Sequence, residues 1–459
     1  MYDCSKEFNK FYRTEVVLPE TEQNDLREKR KLNIKRLKEG LLEYNDENRT
    51  KYKIVENRIQ GSMAIHTTVQ NDKNDYDIDV GIVFELSNLN EIGPLTTRRI
   101  VADALKRKTK QFADEPDVKT SCIRLKYTST GYHVDFAVFR RHKETLYDGN
   151  YIYEHAGSKW SIRHLKALEI WFNEEIKNKG DILRKVIRLS KMFCKSRDLW
   201  KNMPSGLVQT VICDERITTN YSRIDEVFYY TMKAIVERIN NSTEVIAPVD
   251  GGRLLVTRES DHQKMNNWKS RLEYSLKGLE ILFKPSCTYT QAVEAWSQFF
   301  NHDYWRNLKN EAVNRALNSN KYCEFSDTEQ FIEDLYQIYE QYDVTIDCRV
   351  SGNGFRQMSI MDYLDRYAQK FKKFIPYNFS IKCRISDTNC PSYDKVLWKV
   401  LNTGEEAKRR NEIRGQIQER GPEIEEFSKF YGAHYIECYL IKDEVCIAIG
   451  HVNVPVGVV

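Results

Sequence analysis

The chain of 459 residues holds 11 cysteines and nine histidines, but no Cys-x-x-Cys pair and no tight Cys/His cluster. That scatter argues against a structural zinc, which needs four ligands at close, paired spacing. The thiols, spread from Cys4 to Cys446, read as reduced cysteines of a cytosolic protein. Cys383 with Cys390, and Cys438 with Cys446, are the neighbours in sequence that come into question for an approach. No run nears the roughly 20 apolar residues of a membrane-spanning helix. Met1 to Arg30 is polar and charged, without the apolar stretch of a signal peptide. A strong charge of one sign is missing too. The net charge is +4, from 71 Lys and Arg against 67 Asp and Glu, so the basic excess of a dedicated nucleic-acid binder is absent. Internal repeats and low-complexity segments are also lacking. These absences lead to an expectation of a cytoplasmic protein with no membrane partner and no need for nucleic acid.

What is present points to a folded chain of two to three domains. Aromatic residues make up 12% of it and charged residues 30%, a composition that buries a core under a solvated surface. Asp25 to Tyr44 carries apolar residues at three-to-four spacing and reads as an amphipathic helix. Tyr52 to Gln60 reads as a strand, Thr96 to Phe112 as a helix, and Cys122 to Tyr127 with Tyr132 to Phe139 as two strands around the turn Thr128-Ser129-Thr130-Gly131. From about Ser161 the pattern turns helical, and Asn301 to Leu317 and Thr328 to Tyr342 are expected to extend that helical lobe. Ser351-Gly352-Asn353-Gly354 marks a break, and Tyr363 to Lys373 a last basic helix. Alternating segments at Ser380 to Ile385, Leu397 to Leu401, Ala433 to Ile441 and Val445 to Val452 predict a small β-rich domain. The expected division is residues 1–160 for a first lobe, 161–374 for the helical lobe and 375–459 for the last domain.

The chemistry sits in three acids. In Asp77-Ile78-Asp79-Val80-Gly81-Ile82-Val83-Phe84 an extended backbone sends Asp77 and Asp79 to the same face, roughly 6–7 Å apart at Cα. The apolar run after them belongs to a strand buried in a sheet. Asp135 stands in a second such run, His133 to Phe139, and completes a triad if the two strands are neighbours. Three carboxylates packed together raise one another's pKa, a penalty that divalent cations remove. Mg²⁺ suits such a site because it takes oxygen ligands and shares its shell with substrate phosphates. Upstream, Gly61 lets the backbone come close to a phosphate, and the Ser62 hydroxyl with nearby N–H groups can bind pyrophosphate oxygens. Asp75 reads as a solvated or supporting acid and His66 as a structural histidine in a turn.

Gly61-Ser62-Met63-Ala64-Ile65-His66-Thr67, followed by Asp77-x-Asp79 and Asp135, resembles the polymerase-beta-type nucleotidyltransferase superfamily, and within it the cGAS/DncV-like nucleotidyltransferases. Leu183 to Lys191 resembles the family helix whose lysine contacts the triphosphate, and Met203-Pro204-Ser205-Gly206 the segment with a phosphate-contacting serine. Read from the residues alone, an exposed helix lysine is the lesser alternative for Lys191, whereas Ser205, following Pro204, can equally cap the next helix. The resemblance implies an α+β fold, a polymerase-beta-like mixed sheet with a helical lobe, plus a small C-terminal β-rich α+β domain. It implies a pyrophosphate-releasing enzyme that joins nucleoside triphosphates into a cyclic di- or trinucleotide second messenger in bacterial antiphage defence. A linear oligonucleotide synthase or RNA-tailing enzyme is the alternative, since the same acids serve both. The implied site is Asp77, Asp79 and Asp135 for catalysis and for two Mg²⁺ ions, with Mn²⁺ able to substitute, and Gly61, Ser62, Lys191 and Ser205 for the nucleotide. Trp398 to Ala407, Ile413 to Ile417 and Gly432 to Tyr439 resemble the adenylyl/guanylyl cyclase and synthase C-terminal sensor domain. That implies a small-molecule or protein regulator there, with Trp398, Arg414 and His434 as candidates for a stacking and phosphate pocket.

Overall fold

The computed structural model describes residues 1–71, 75–89, 92–143, 150–317, 328–352, 354–367 and 374–457. Its contacts divide the chain into two compact units, Met1–Asn320 and Lys321–Val459.

In the first unit, α1 (Ser5–Phe11) precedes the long α2 (Glu20–Asn48), which buries Leu26, Ile34, Leu37 and Leu41 along one face. The chain then enters β1 (Ile54–Gln60), the short α3 (Gly61–Ala64), β2 (Asp77–Glu85), the short α4 (Leu86–Leu89) and α5 (Pro94–Lys108), where Pro94 opens the helix at a position with no N–H to satisfy. There follow β3 (Asp117–Val118), β4 (Ile123–Lys126), β5 (His133–Lys143), β6 (Tyr151–Ala156) and β7 (Trp160–Ile162). The sheet runs β1-β2-β5-β4-β3, with β6 and β7 continuing from β5. It is mixed, because β2 and β5 are parallel while the other pairs are antiparallel.

Strand periodicity divides β2 cleanly. Ile78, Val80, Ile82 and Phe84 face a core shared with Val134, Phe136 and Val138 of β5 and with the apolar stripes of α2 and α5. The alternate residues, Asp77 and Asp79, are left on the opposite face. Helices α2 and α5 approach each other so closely that a Cβ at Gly40 would lie 1.9 Å from the Ala104 carbonyl oxygen.

The helical part comprises α6 (Ala167–Lys179), α7 (Ile182–Lys195), α8 (Gly206–Arg216), α9 (Ile224–Asn241), α10 (Glu259–Gly278), α11 (Tyr289–Phe300) and α12 (Asp303–Leu317). Phe8 of α1 packs edge-on against Trp296, Phe300 and Trp305, which joins the N-terminal helix to α11 and α12. The helical pattern expected from Ser161 begins six residues later, because Trp160–Ile162 is still paired to β6.

The second unit contains β8 (Gln337–Ile338), β9 (Val344–Gly352), β10 (Phe355–Ser359), α13 (Ile360–Tyr367), β11 (Ser380–Thr388), β12 (Lys395–Leu401), α14 (Glu405–Arg410), β13 (Arg414–Glu419), β14 (Glu423–Phe427), β15 (Gly432–Lys442) and β16 (Val445–Val456). One sheet runs β10-β9-β11-β14 and the other β13-β12-β15-β16-β8. Val350 and Ile381 of the first share a core with Trp398, Ile436 and Leu440 of the second.

Four sequence expectations change here. Thr328 to Tyr342 is not a helix: it holds a single 3₁₀ turn at Ile332–Asp334, and β8 within it pairs with β16. The expected division at 374/375 moves upstream, since β9 is hydrogen-bonded to β11 along its length and cannot belong to a different domain. The cysteines are not all thiols: Cys348 and Cys383 stand directly opposite each other in β9 and β11 and are bonded. The expected helix from Tyr363 starts at Ile360, and its part from 368 to 373 lies outside the described residues.

Candidate active site

The register of β2 against β5 sets Asp79 beside Asp135 and Asp77 beside His133. One oxygen from each of Asp77, Asp79 and Asp135 lies within 4.8 Å of the others, so the three carboxylates can hold a divalent cation. This all-oxygen donor set fits Mg²⁺ or Mn²⁺. Burial, with repulsion from Asp77 and Asp135, pushes the Asp79 carboxyl up to about 7, against the pull of Arg124. Such a site is short of positive charge.

Gly61 opens α3 directly after β1, with φ +65°, and a Cβ there would stand 1.9 Å from Asp79 Oδ2. Only a glycine lets this turn sit on the acid pair. Ser62 Oγ shares a hydrogen bond of 2.8 Å with Thr68 Oγ1. His66 is buried at φ +50° in the turn that ends α3, which agrees with a structural role. Asp75 is exposed and pairs with His133 Nδ1 at 3.1 Å.

Gly61, Ser62, Asp77 and Asp79 line a cavity of about 560 Å³, large enough for a nucleoside triphosphate, whose opposite wall includes Lys191, Lys195 and Gln209. Lys191 is buried in α7, not an exposed helix lysine, and its Nζ donates to the Thr67 carbonyl (3.0 Å) and Thr67 Oγ1 (2.7 Å). Burial, with Lys195 and Arg188 nearby, lowers its pKa to about 7, against the pull of Asp77. Ser205 behaves otherwise. It is the N-cap of α8, its Oγ accepting from Val208 N–H at 3.4 Å, and it lies outside the cavity wall, which its neighbours Pro204 and Gly206 form. A second cavity of about 310 Å³ shares Gly61 and Asp79 with the first and continues past His155, Arg163 and Arg253.

Sequence reasoning missed Lys195 and Arg124. Lys195 follows Lys191 by four residues, one helical turn, so both belong on one face. Arg124 grips Asp135 through Nε–Oδ1 at 2.8 Å and Nη2–Oδ2 at 2.6 Å. Its position was countable, because the turn closed by Tyr127 N–H and the Tyr132 carbonyl puts Arg124 and Asp135 each three residues away.

In the second unit the expected stacking pocket is not formed. Trp398 is in the core with Nε1 on the Gly421 carbonyl, Arg414 is paired with Glu426, and both His434 nitrogens bond backbone. The hollows beside Arg414 measure about 60 and 80 Å³, too small for a nucleotide.

A mixed sheet carrying an acid triad under a Gly-Ser turn, with helices supplying a lysine across the cavity, defines a nucleotidyltransferase. Residues 55–139 match the family described as cyclic GMP-AMP synthase DncV-like, nucleotidyltransferase domain, and residues 326–457 match the adenylyl/guanylyl and SMODS C-terminal sensor domain. The chain thus carries a DncV-like catalytic domain and a C-terminal sensor domain, and it is an enzyme of the nucleotidyltransferase class. The fold is similar to that of the Vibrio cholerae DncV cyclic AMP-GMP synthase, at 16% identity and a TM-score of 0.53 over 65% of this chain and 96% of that one. It is similar also to Escherichia coli DncV in its 3'-deoxy GTP bound form, at 19% identity and a TM-score of 0.52 over 66% of this chain and 98% of that one. A third likeness is to Vibrio cholerae DncV in complex with the linear intermediate 5' pppA(3',5')pG, at 16% identity and a TM-score of 0.51, covering 64% and 95%. No curated protein matches the chain. Among the described residues no helix is long and apolar enough to cross a membrane.

Proposed function

We propose that the chain joins nucleoside triphosphates into a cyclic di- or trinucleotide, releasing pyrophosphate, as a second messenger in bacterial antiphage signalling. The observation that carries this reading is the meeting of two cavities at Gly61 and Asp79, beside the acid triad. A linear polymerase needs room for a primer; a synthase that joins two nucleotides needs one hollow for each. The DncV structures with 3'-deoxy GTP and with a linear dinucleotide intermediate support the same substrate class.

In this reading a ribose hydroxyl attacks the α-phosphate of the nucleotide in the larger cavity; the new P–O bond forms as the bond to pyrophosphate breaks. Two divalent cations, Mg²⁺ or Mn²⁺, would stabilise the attacking and leaving oxygens together. Asp77 and Asp79 would hold both, and Asp135 would help hold the one that activates the hydroxyl. Gly61 and Ser62 present backbone N–H groups and a hydroxyl to the phosphates, and Lys191 neutralises the departing pyrophosphate. A phosphate beside Lys191 restores the charge that burial disfavours. Ser205 acts by fixing the start of α8 against this wall. An enzyme that consumes nucleoside triphosphates works in the cytoplasm, where they are supplied, and the C-terminal unit is the place for a small-molecule or protein regulator.

The test is incubation of the purified chain with the four nucleoside triphosphates and Mg²⁺ or Mn²⁺, followed by mass spectrometry. Cyclic, nuclease-resistant products that vanish in Asp77→Ala are expected. Pyrophosphate release with linear products alone, or strict dependence on an added RNA primer, overturns cyclisation in favour of a linear or RNA-tailing enzyme.

A further inference from the structure

The acid triad already has a positive charge bound to it. Arg124 of β4 stands directly across from Asp135 of β5, and its guanidinium places two parallel hydrogen bonds on the two carboxylate oxygens. The side chain of Asp135 is 6% exposed and that of Arg124 is 30% exposed, so the acid is sealed in while the base reaches toward solvent. A fork of this kind is among the strongest pairings a carboxylate makes in a protein. It uses both oxygens, and it puts a full positive charge next to the place where a doubly charged cation would sit.

We propose that Arg124 is a built-in competitor of the divalent cation: it holds Asp135 in the metal-free enzyme, and it gives up its two-point grip when Asp135 turns to the metal. The inference rests on the reading that Asp77, Asp79 and Asp135 hold metal. Two consequences follow from charge alone. Without metal, Arg124 offsets the mutual repulsion of three clustered carboxylates, and the fold tolerates the empty acid site. With metal, part of the binding free energy goes into breaking the pair, so the triad binds its cation more weakly than three such oxygens otherwise would. The displaced guanidinium is then an unpaired donor at the rim, suited to a phosphate oxygen, which makes a polyphosphate substrate favour the metal-loaded state.

The experiment is a Mn²⁺ titration of the full chain without nucleotide, followed by the electron paramagnetic resonance of free Mn²⁺, in wild type, Arg124→Gln, Arg124→Lys and Asp77→Ala. Removing the fork is expected to tighten Mn²⁺ binding about tenfold, equivalent to about 1.4 kcal/mol. Lysine, a point charge that cannot make both bonds, is expected to fall between. Unchanged or weaker binding in Arg124→Gln overturns the proposal, since a residue that merely orients Asp135 from outside would strengthen the site. Binding that survives undiminished in Asp77→Ala counts instead against the triad as the metal site. The wild-type chain gives an answer that needs no variant: the Nε–H resonance of Arg124 must lose its hydrogen-exchange protection as Mg²⁺ is added. A guanidinium that stays protected at saturating Mg²⁺ overturns the proposal equally.

Discussion

At position 61 a side chain has nowhere to go. A methyl group there meets Asp79 Oδ2 at 1.9 Å and sits on a backbone with φ +65°, so either the turn or the acid must move. Gly61→Ala is therefore expected to fold, with a loss of about 1–2 kcal/mol from the left-handed backbone. Its turnover should fall by about 10²-fold, because displacement of reacting groups by an ångström costs that much. Steady-state kinetics beside a thermal melt separates the two effects; a variant with wild-type turnover would show that the turn does not position the acids. Lys191 illustrates the opposite compromise. Its folded pKa, near 7, lies below the ordinary lysine value of 10.5, so between these limits the unfolded chain binds more protons and stability rises with pH. The penalty is complete below about pH 7. Lys191→Met removes it, and is expected to melt higher at neutral pH by roughly 0.5–2 kcal/mol, a usual yield of relieving a functional group. Nucleotide affinity should fall in the same variant, and melting curves at pH 6 and pH 10 should lie closer together than in wild type.

Among the elements, β2 and β5 were readable because alternation and a continuous apolar run leave few choices for where Asp77, Asp79 and Asp135 point. Burial of Ile78, Val80 and Ile82 against α2 and α5 decides the register of the acids, since a slip of one residue would turn them into the core. Ser205 was ambiguous because a serine before a helix serves a cap as well as a phosphate, and only the hydrogen bond to Val208 N–H decides. Lys195 and Arg124 went unread although one helical turn and one hairpin count would have found them. What no local pattern reveals is the closeness of two helices that are distant in sequence. Gly40 of α2 touches α5 at Ala104, which aligns the helical backing of the catalytic sheet. Gly40→Leu is expected to cost about 3 kcal/mol by forcing the helices apart. Urea denaturation checks it, and a stability within 0.5 kcal/mol of wild type would mean that the contact is not close.

For the molecule as a whole, the sequence showed that the chain ends in a β-rich domain but placed its beginning too late. Phe331, Leu335 and Tyr339 fall at four-residue spacing and imitate a helix, while the partner of this segment, β16, lies about a hundred residues further on. Tertiary pairing overrides the local period there. The same long-range pairing builds a row of charges across the five-stranded sheet of the second unit, with Lys399, Glu437 and His451 side by side on β12, β15 and β16. Lys399 and Glu437 are both fully buried, and Lys399 Nζ reaches Glu329 at 2.8 Å and Glu437 at 3.7 Å. Burial pushes the Glu437 carboxyl up, yet Lys399, His451 and the Tyr439 hydroxyl outweigh it and hold the pKa at about 2. A carboxyl depressed in the folded state contributes its full stability above the unfolded value of 4.5 and loses it as the pH falls toward 2. Glu437→Gln is expected to cost about 3 kcal/mol at pH 7, since a charge is left buried with one partner fewer. It should also flatten the acid transition between pH 4.5 and 2, read by near-ultraviolet circular dichroism of the full chain. A variant whose acid transition matches that of wild type would show that Glu437 is not charged in the folded protein.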